Sequence, residues 1–388
     1  MINTVRFGTV LALLAMGSVS ATTPAALEEL RAEGEASNSS AMVILKDGES
    51  LLEWYDENGN RPIHAMSVTK SVMALGLAHI LTTGELENLD TAVADYFPEW
   101  RQGRKQDITI RHLLNHTSGL QNNPNAGVEI YPSPDFVQLA LAAELEHDPG
   151  SHYAYNNKAT NLVAALFPAI TGKAMDDYID QALFQPMGIR DWSWMSDDAG
   201  TPQGMAGLHI RPMDLARLGQ LVLDRGRHDE QLLISESAIE ALLAPGSEHN
   251  DSSGLLWWRQ AAEERFIIDD DIISAYRKAD VSDKVVQGMS DIRGSYDSRD
   301  DVATALSEVF GSNWMDIVLP ETRANGLSMV RRESSEETIA WYGEGYLGQY
   351  LVVAPESRIV AVRMLEHFEG AGPEHSYQSF RQRVLALD

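Results

Sequence analysis

A long apolar run from Val72 to Leu81 dominates the hydrophobic pattern of this chain. With Pro62 and His64 before it and Gly84 after it, the pattern predicts a helix from about Ser67 to Thr82. That helix is apolar nearly all round, so it belongs in the middle of a folded protein rather than on its surface. Leu27 to Ala36 has helical composition. Ala41 to Leu45 and Leu51 to Tyr55 read as strands flanking Asp47-Gly48, a two-residue hairpin turn. Further on, Asp107 to Leu120 predicts a short helix ending at Gly119, and Ala159 to Ile170 and Ile234 to Leu243 predict two more. Leu215, Leu218, Leu221 and Val222 recur at helical spacing as a core face, and Leu255-Leu256-Trp257-Trp258 is apolar enough to be buried. Strand patterns return at Thr338 to Tyr342, Gln349 to Ala354 and Ile359 to Leu365, with Pro355-Glu356-Ser357-Arg358 turning between the last two. Pro373 to Leu387 closes the chain as a helix.

From Arg259 to about Asn325 the character changes to acidic and mixed, and this stretch reads as an insertion whose position suits a surface or a lid. Its carboxylates, Asp269-Asp270-Asp271 and those between Asp297 and Asp301, lack the Gly and closing Glu of a calcium loop, so a solvated face is expected in preference to a metal site. Composition sharpens the picture further. The 388 residues, 44% hydrophobic and 22% charged, are those of a globular protein with a substantial core. A formal charge of -27 repels nucleic acid and anionic lipid, leaving neutral or cationic partners. Residues 1–21 read as an export signal, with Arg6 in a basic start, an apolar stretch from Phe7 to Val19 and Val19-Ser20-Ala21 as a small-residue cleavage site. An N-terminal anchor or a buried first helix is the alternative. The apolar stretch is short for a membrane span, no other segment looks transmembrane, and a periplasmic or secreted location is expected. Cysteine is absent, which excludes disulfides, thiol catalysis and Cys-ligated metals.

Candidate chemistry begins at Met66-Ser67-Val68-Thr69-Lys70-Ser71. In a helix Ser67 and Lys70 stand on one face a single turn apart. A serine hydroxyl becomes nucleophilic when a neighbour takes its proton, and lysine can do so once burial has left it neutral. At the start of a helix, unpaired N–H groups and the dipole also favour a developing oxyanion. The pattern Ser-x-x-Lys arises about once by accident in a chain of this composition, and Ser is also a common helix cap, so the residues around it carry the rest. Tyr155-Asn156-Asn157 supplies the chain's only Tyr-x-Asn. A phenol near a buried lysine can exchange protons with it, and an amide two residues on can orient a carbonyl, although Tyr155 taken alone is also an ordinary core aromatic. His112 and His116 sit one turn apart with no third ligand spaced to join them, so packing and capping are expected of them. Gly343-Glu344-Gly345-Tyr346-Leu347-Gly348 matches a dinucleotide fingerprint but runs into a strand, which argues against a nucleotide site. The glycines are read instead as allowing a substrate backbone to approach a strand edge.

Assembled in order, Ser67-Val68-Thr69-Lys70, Leu113-Leu114-Asn115-His116-Thr117-Ser118-Gly119-Leu120, Pro149-Gly150 before Tyr155-Asn156-Asn157, Pro186-Met187-Gly188 and Asp214-Leu215-Ala216-Arg217 resemble the serine hydrolases of the class C β-lactamase and penicillin-binding-protein superfamily. Gly-Tyr-Leu-Gly-Gln-Tyr and Met-Ser-Val-Thr-Lys-Ser are most similar to its 6-aminohexanoate-dimer hydrolase branch. The resemblance implies an α+β, β-lactamase/transpeptidase-like fold: an antiparallel sheet flanked by helices, built from residues 22–80 and 326–388, beside a mainly helical region at 81–258, with 259–325 inserted. It also implies an ester or amide hydrolase acting without a cofactor on a small-molecule or peptide-like substrate. Ser67 would be acylated, Lys70 and Tyr155 would act as general base and acid, and Asn157 would assist. The N–H groups of Ser67 and Tyr346 would form the oxyanion hole, and Gly343, Glu344 and Gly345 would border the substrate. Where β-lactamases and peptidoglycan peptidases carry Lys or His at this third motif, this chain has Gly343-Glu344-Gly345, and a carboxylate there repels the carboxylate of a β-lactam or a D-Ala-D-Ala terminus. A β-lactamase, a D-Ala-D-Ala carboxypeptidase and a non-catalytic sensor of β-lactams or cell-wall fragments remain the rival readings.

Overall fold

The computed structural model describes residues 24–123, 125–311, 313–324, 327–372 and 375–387, so the segment read as an export signal lies outside the described residues. The chain opens with α1 (Pro24–Ala36), β1 (Ala41–Lys46), β2 (Glu49–Tyr55), β3 (Ile63–His64) and α2 (Val68–Thr83). The middle supplies α3 (Ile110–Leu114), α4 (Ala126–Glu129), α5 (Phe136–Ala142), α6 (Asn157–Thr171), α7 (Met175–Ile179), β4 (Trp192–Trp194), β5 (Leu208–Ile210), α8 (Pro212–Leu223), β6 (Arg227–His228), β7 (Gln231–Leu232) and α9 (Glu236–Leu243). Next come β8 (Trp258–Ala261), β9 (Glu264–Ile268), α10 (Asp270–Lys278), α11 (Asp283–Asp291), β10 (Gly294–Tyr296), α12 (Arg299–Phe310), α13 (Trp314–Ala324) and β11 (Arg331–Ser334). The chain ends with β12 (Thr338–Gly345), β13 (Gln349–Ala354), β14 (Ile359–Met364) and α14 (Phe380–Leu385).

Six strands form one antiparallel sheet in the order β2-β1-β14-β13-β12-β8. Asp47 and Gly48 both take the left-handed conformation that a two-residue hairpin turn demands, which fixes β1 against β2. Strand side chains alternate between faces, so Val43, Leu351, Val353, Val360 and Val362 face α2 and α8, while Met42, Ile44, Tyr342, Tyr350 and Val352 face α1 and α14. β13 and β14 are buried on both faces, which is why their sequences read as continuous apolar runs. α2 runs behind this sheet with twelve of its sixteen residues buried and ends at Gly84 in the left-handed conformation, as the apolar pattern anticipates.

Three expectations change. The short helix read as ending at Gly119 stops at Leu114, because Asn115 leaves helical geometry and His116 takes a positive φ. The closing helix is confined to Phe380–Leu385. The insertion is shorter than composition indicates: β8 pairs with β12 through Trp258–Ala261, so residues 259–261 are an edge strand of the main sheet. Beyond that strand lies a small unit with its own core, where β10-β9-β11 and α10 to α13 enclose Phe266, Ile268, Tyr276, Met289, Leu306 and Val318. Its acidic residues lie on the surface, where Asp269 caps α10 and pairs with Arg331. Among the described residues no helix is long and apolar enough to cross a membrane.

Candidate active site

Ser67 occupies the residue before α2, with helical dihedrals and no capping hydrogen bond from its hydroxyl, so its Oγ is free for other work. Met66, just before it, takes φ 48°, a left-handed turn that a side-chain-bearing residue adopts only under constraint, and this turn lifts Ser67 to the rim of the helix. One turn on, the Lys70 Nζ lies 3.1 Å from Ser67 Oγ and donates a second hydrogen bond, of 2.6 Å, to the Met205 carbonyl. That carbonyl is held in place from α6, whose Asn161 Oδ1 accepts from the Met205 N–H. Lys70 is buried and has no carboxylate partner among the described residues. Burial alone therefore lowers its ammonium from 10.5 to about 7.

Tyr155 stands on the segment that enters α6, with the Lys70 Nζ 4.9 Å from its ring centre and its phenol beside the Ser67 hydroxyl. Burial raises the phenol to about 12, with Ser67 acting against the shift and Glu344 adding to it. Its ring stacks on Trp258 at 6.2 Å and leans on His116 at 4.6 Å. His116 packs, as its spacing predicts: its Nδ1 accepts from the Asn156 N–H, and burial, then the charge of Lys70, pushes it down to about 3, so it remains a neutral wall. His112 is the capping residue, since its N–H donates to Thr109 Oγ1 and its ring accepts from the Thr109 N–H. Asn157 begins α6 half-buried, with its Oδ1 unpartnered among the described residues, whereas the neighbouring Asn156 is consumed by capping that helix.

The third motif lies at the end of β12, beyond the part paired to β8. A Cβ on Gly345 would stand 3.0 Å from the Ser67 nitrogen, and one on Gly343 would stand 2.9 Å from Ser71 Oγ. The glycines therefore let the strand press onto the start of α2. Gly345 thus packs against the Ser67 amide, and neither the Ser67 nor the Tyr346 N–H is engaged by a hydrogen bond among the described residues. Alternation turns Glu344 to the opposite face, where its carboxylate lies 3.9 Å from Arg381 while still bordering the pocket. Arg381, from α14, stacks 4.1 Å from the Tyr342 ring centre and donates to Gln260 Oε1. Sequence patterns do not bring it to the site, nor Met205 or Trp258, because none of the three carries a local signal for a role fixed by distant packing.

Ser67, Lys70, Tyr155, His116, Trp258 and Glu344 thus border one pocket, closed at the back by Ser253, Leu256 and Trp257. It holds the Ser67 hydroxyl against a neutralisable amine, with a protonated phenol beside them. Known proteins share both the sequence pattern and the fold. Esterase EstB of Burkholderia gladioli is 30% identical over 149 residues, 34% of this chain and 38% of that protein. A D-aminopeptidase of Brucella anthropi is 31% identical over 176 residues, 41% of this chain and 33% of its own length. The chain therefore spans well under half the length of either relative. A protein of Bacillus anthracis assigned as a 6-aminohexanoate-dimer hydrolase superposes with a TM-score of 0.63 at 16% identity, covering 92% of this chain and 81% of that one, which shows a common fold. The beta-lactamase family profile matches residues 25–382, nearly the whole described structure, and the chain belongs to the beta-lactamase family.

Proposed function

We propose that this protein is an exported serine hydrolase that cleaves an ester or amide through an acyl-enzyme on Ser67. The observation that carries the reading is the 3.1 Å contact between Ser67 Oγ and an amine that burial brings to about 7 with no acidic partner among the described residues. The neutral Lys70 takes the Ser67 proton as Oγ attacks the substrate carbonyl. Charge then develops on the carbonyl oxygen between the amides of Ser67 and Tyr346. Tyr155, which remains protonated at neutral pH, hands a proton to the leaving group, so the two groups whose pKa values are driven apart take the base and acid roles. Water delivered by the same pair then releases the acyl group. Asn157, whose amide oxygen has no partner among the described residues, takes the role of orienting an N–H of the substrate in this reading.

The esterase and D-aminopeptidase relatives support a small ester or amide. With Gly343-Glu344-Gly345 where a Lys or His would favour a carboxylate, a β-lactam or a D-Ala-D-Ala terminus is the weaker candidate. The free Ser67 hydroxyl beside its base counts against a purely sensing role. Export rests on residues 1–21, and the mass of the protein recovered from the periplasm or medium tests it. The reaction is tested by turnover of aryl esters, short amides and penicillin. Ser67→Ala is expected to abolish turnover and fluorophosphonate labelling with the fold intact, and unchanged turnover refutes the reading.

A further inference from the structure

The β12–β13 turn that presents the Tyr346 amide is strained. Gly345 O accepts from the Gly348 N–H at 3.0 Å, which makes Tyr346 and Leu347 the central residues of a tight turn. Leu347 occupies the third position at φ 65°, where the left-handed geometry is ordinarily given to Gly or Asn, and it is buried there. A residue held so is strained and persists only where its surroundings fix it. Gly348 comes next at φ 72°, with the Ser376 carbonyl standing where any Cβ would project.

The residue that fixes this turn is Arg363, from the middle of the sheet. Its guanidinium is fully buried and spends all five N–H groups on neutral oxygens. One terminal nitrogen donates to both Leu347 O and Gly348 O, the latter at 2.9 Å. The other donates to Ser37 O at 3.1 Å and His375 O at 2.6 Å, and Nε donates to Ser39 Oγ at 2.7 Å. Among the described residues it has no carboxylate partner, so this is no buried ion pair. Burial draws it down to about 10, which leaves it charged at neutral pH. A planar fork that ties the two carbonyls after Tyr346 to the N-terminal and C-terminal segments is a rigid clamp, which lysine's point charge cannot reproduce.

We propose that Arg363 is a positioning residue for catalysis: by clamping the strained Leu347-Gly348 turn, it aims the Tyr346 N–H at the carbonyl oxygen of the reacting ester or amide. The proposal rests on the acyl-enzyme reading above and names a residue that the Ser-Lys-Tyr chemistry does not include. It makes the loss a loss of transition-state stabilisation, so kcat falls while KM stays near its wild-type value.

Arg363→Lys and Arg363→Met are to be compared with Ser39→Ala, which removes a partner on the side of the guanidinium away from the turn. The substrates are an aryl ester and its thionoester, in which sulfur accepts hydrogen bonds weakly, so the ratio of their kcat values reports the grip on the oxyanion. Active sites are counted with a fluorophosphonate. Arg363→Met is expected to lose about tenfold to a thousandfold in kcat per titrated site, on the scale of losing one oxyanion donor, with KM within about twofold and the ester-to-thionoester ratio reduced. Arg363→Lys, which keeps charge and length and carries the comparison if the Met variant does not fold, is expected to fall between. Ser39→Ala should lose stability alone. Titrated Arg363→Lys with wild-type kcat and an unchanged ratio overturns the proposal. Failure of the acyl-enzyme reading shows itself separately, as turnover that survives Ser67→Ala in wild-type background.

Discussion

Replacing Lys70 by methionine should make the protein more stable at neutral pH while abolishing its activity. Lys70 falls from 10.5 to about 7 in the folded protein because it is buried, with no anion beside it among the described residues. Between those values the unfolded chain holds a proton that the folded chain has released, so stability rises with pH across the window. The penalty is complete below about pH 7 and absent above about 10.5. At about 1.36 kcal/mol per unit, the full penalty is about 5 kcal/mol. Methionine fills a similar volume, carries no charge and forgoes the hydrogen bonds to Ser67 and Met205. Urea unfolding of the two proteins at intervals from pH 6 to 9.5 measures the difference directly. The advantage of Lys70→Met should be largest at pH 6 and shrink by about 3 kcal/mol by pH 9.5, whatever constant offset the lost hydrogen bonds impose. A difference that stays flat to within about 0.5 kcal/mol over that range would mean that Lys70 remains an ordinary ammonium, and the base assignment would fall with it. Such a result would also show that the fold does not sacrifice stability to hold this amine neutral.

Two further outcomes are open to measurement. The kcat/KM of the wild type should rise along a limb with an apparent pKa of about 7, since deprotonation of Lys70 activates it, and a limb near 10.5 would contradict the burial argument. Gly345→Ala places a methyl group 2.9 Å from Ala65 O and 3.0 Å from the Ser67 nitrogen, so the strand must retreat from the nucleophile; a fall of about a hundredfold in kcat is expected, and full activity would show that this contact does not set the geometry.

Much of the site is legible in the sequence because it is local. Ser67 and Lys70 are three residues apart, and an apolar run around them already says that the helix is buried, so spacing and burial can be read together. The Asp47-Gly48 hairpin and the Gly84 stop are likewise written in residues that tolerate the required backbone angles. The motif marks Glu344 but not its direction, because that depends on which face of β12 meets α2. Arg363 is inconspicuous within a strand pattern, and the insertion conceals its own core beneath an acidic composition.

By itself, then, the chain dictated which helix is central, which hydroxyl and amine share a turn of it, and that Tyr155 and Asn157 lie at a helix start. Those are consequences of backbone periodicity, which is short-ranged. Tertiary structure alone decided that Met205 O and Tyr155 enclose Lys70, that the glycines of β12 face the helix, and that Arg363 grips the turn bearing Tyr346. Each of these joins residues far apart in sequence, and desolvation and hydrogen-bond geometry come into being only once the sheet closes over α2.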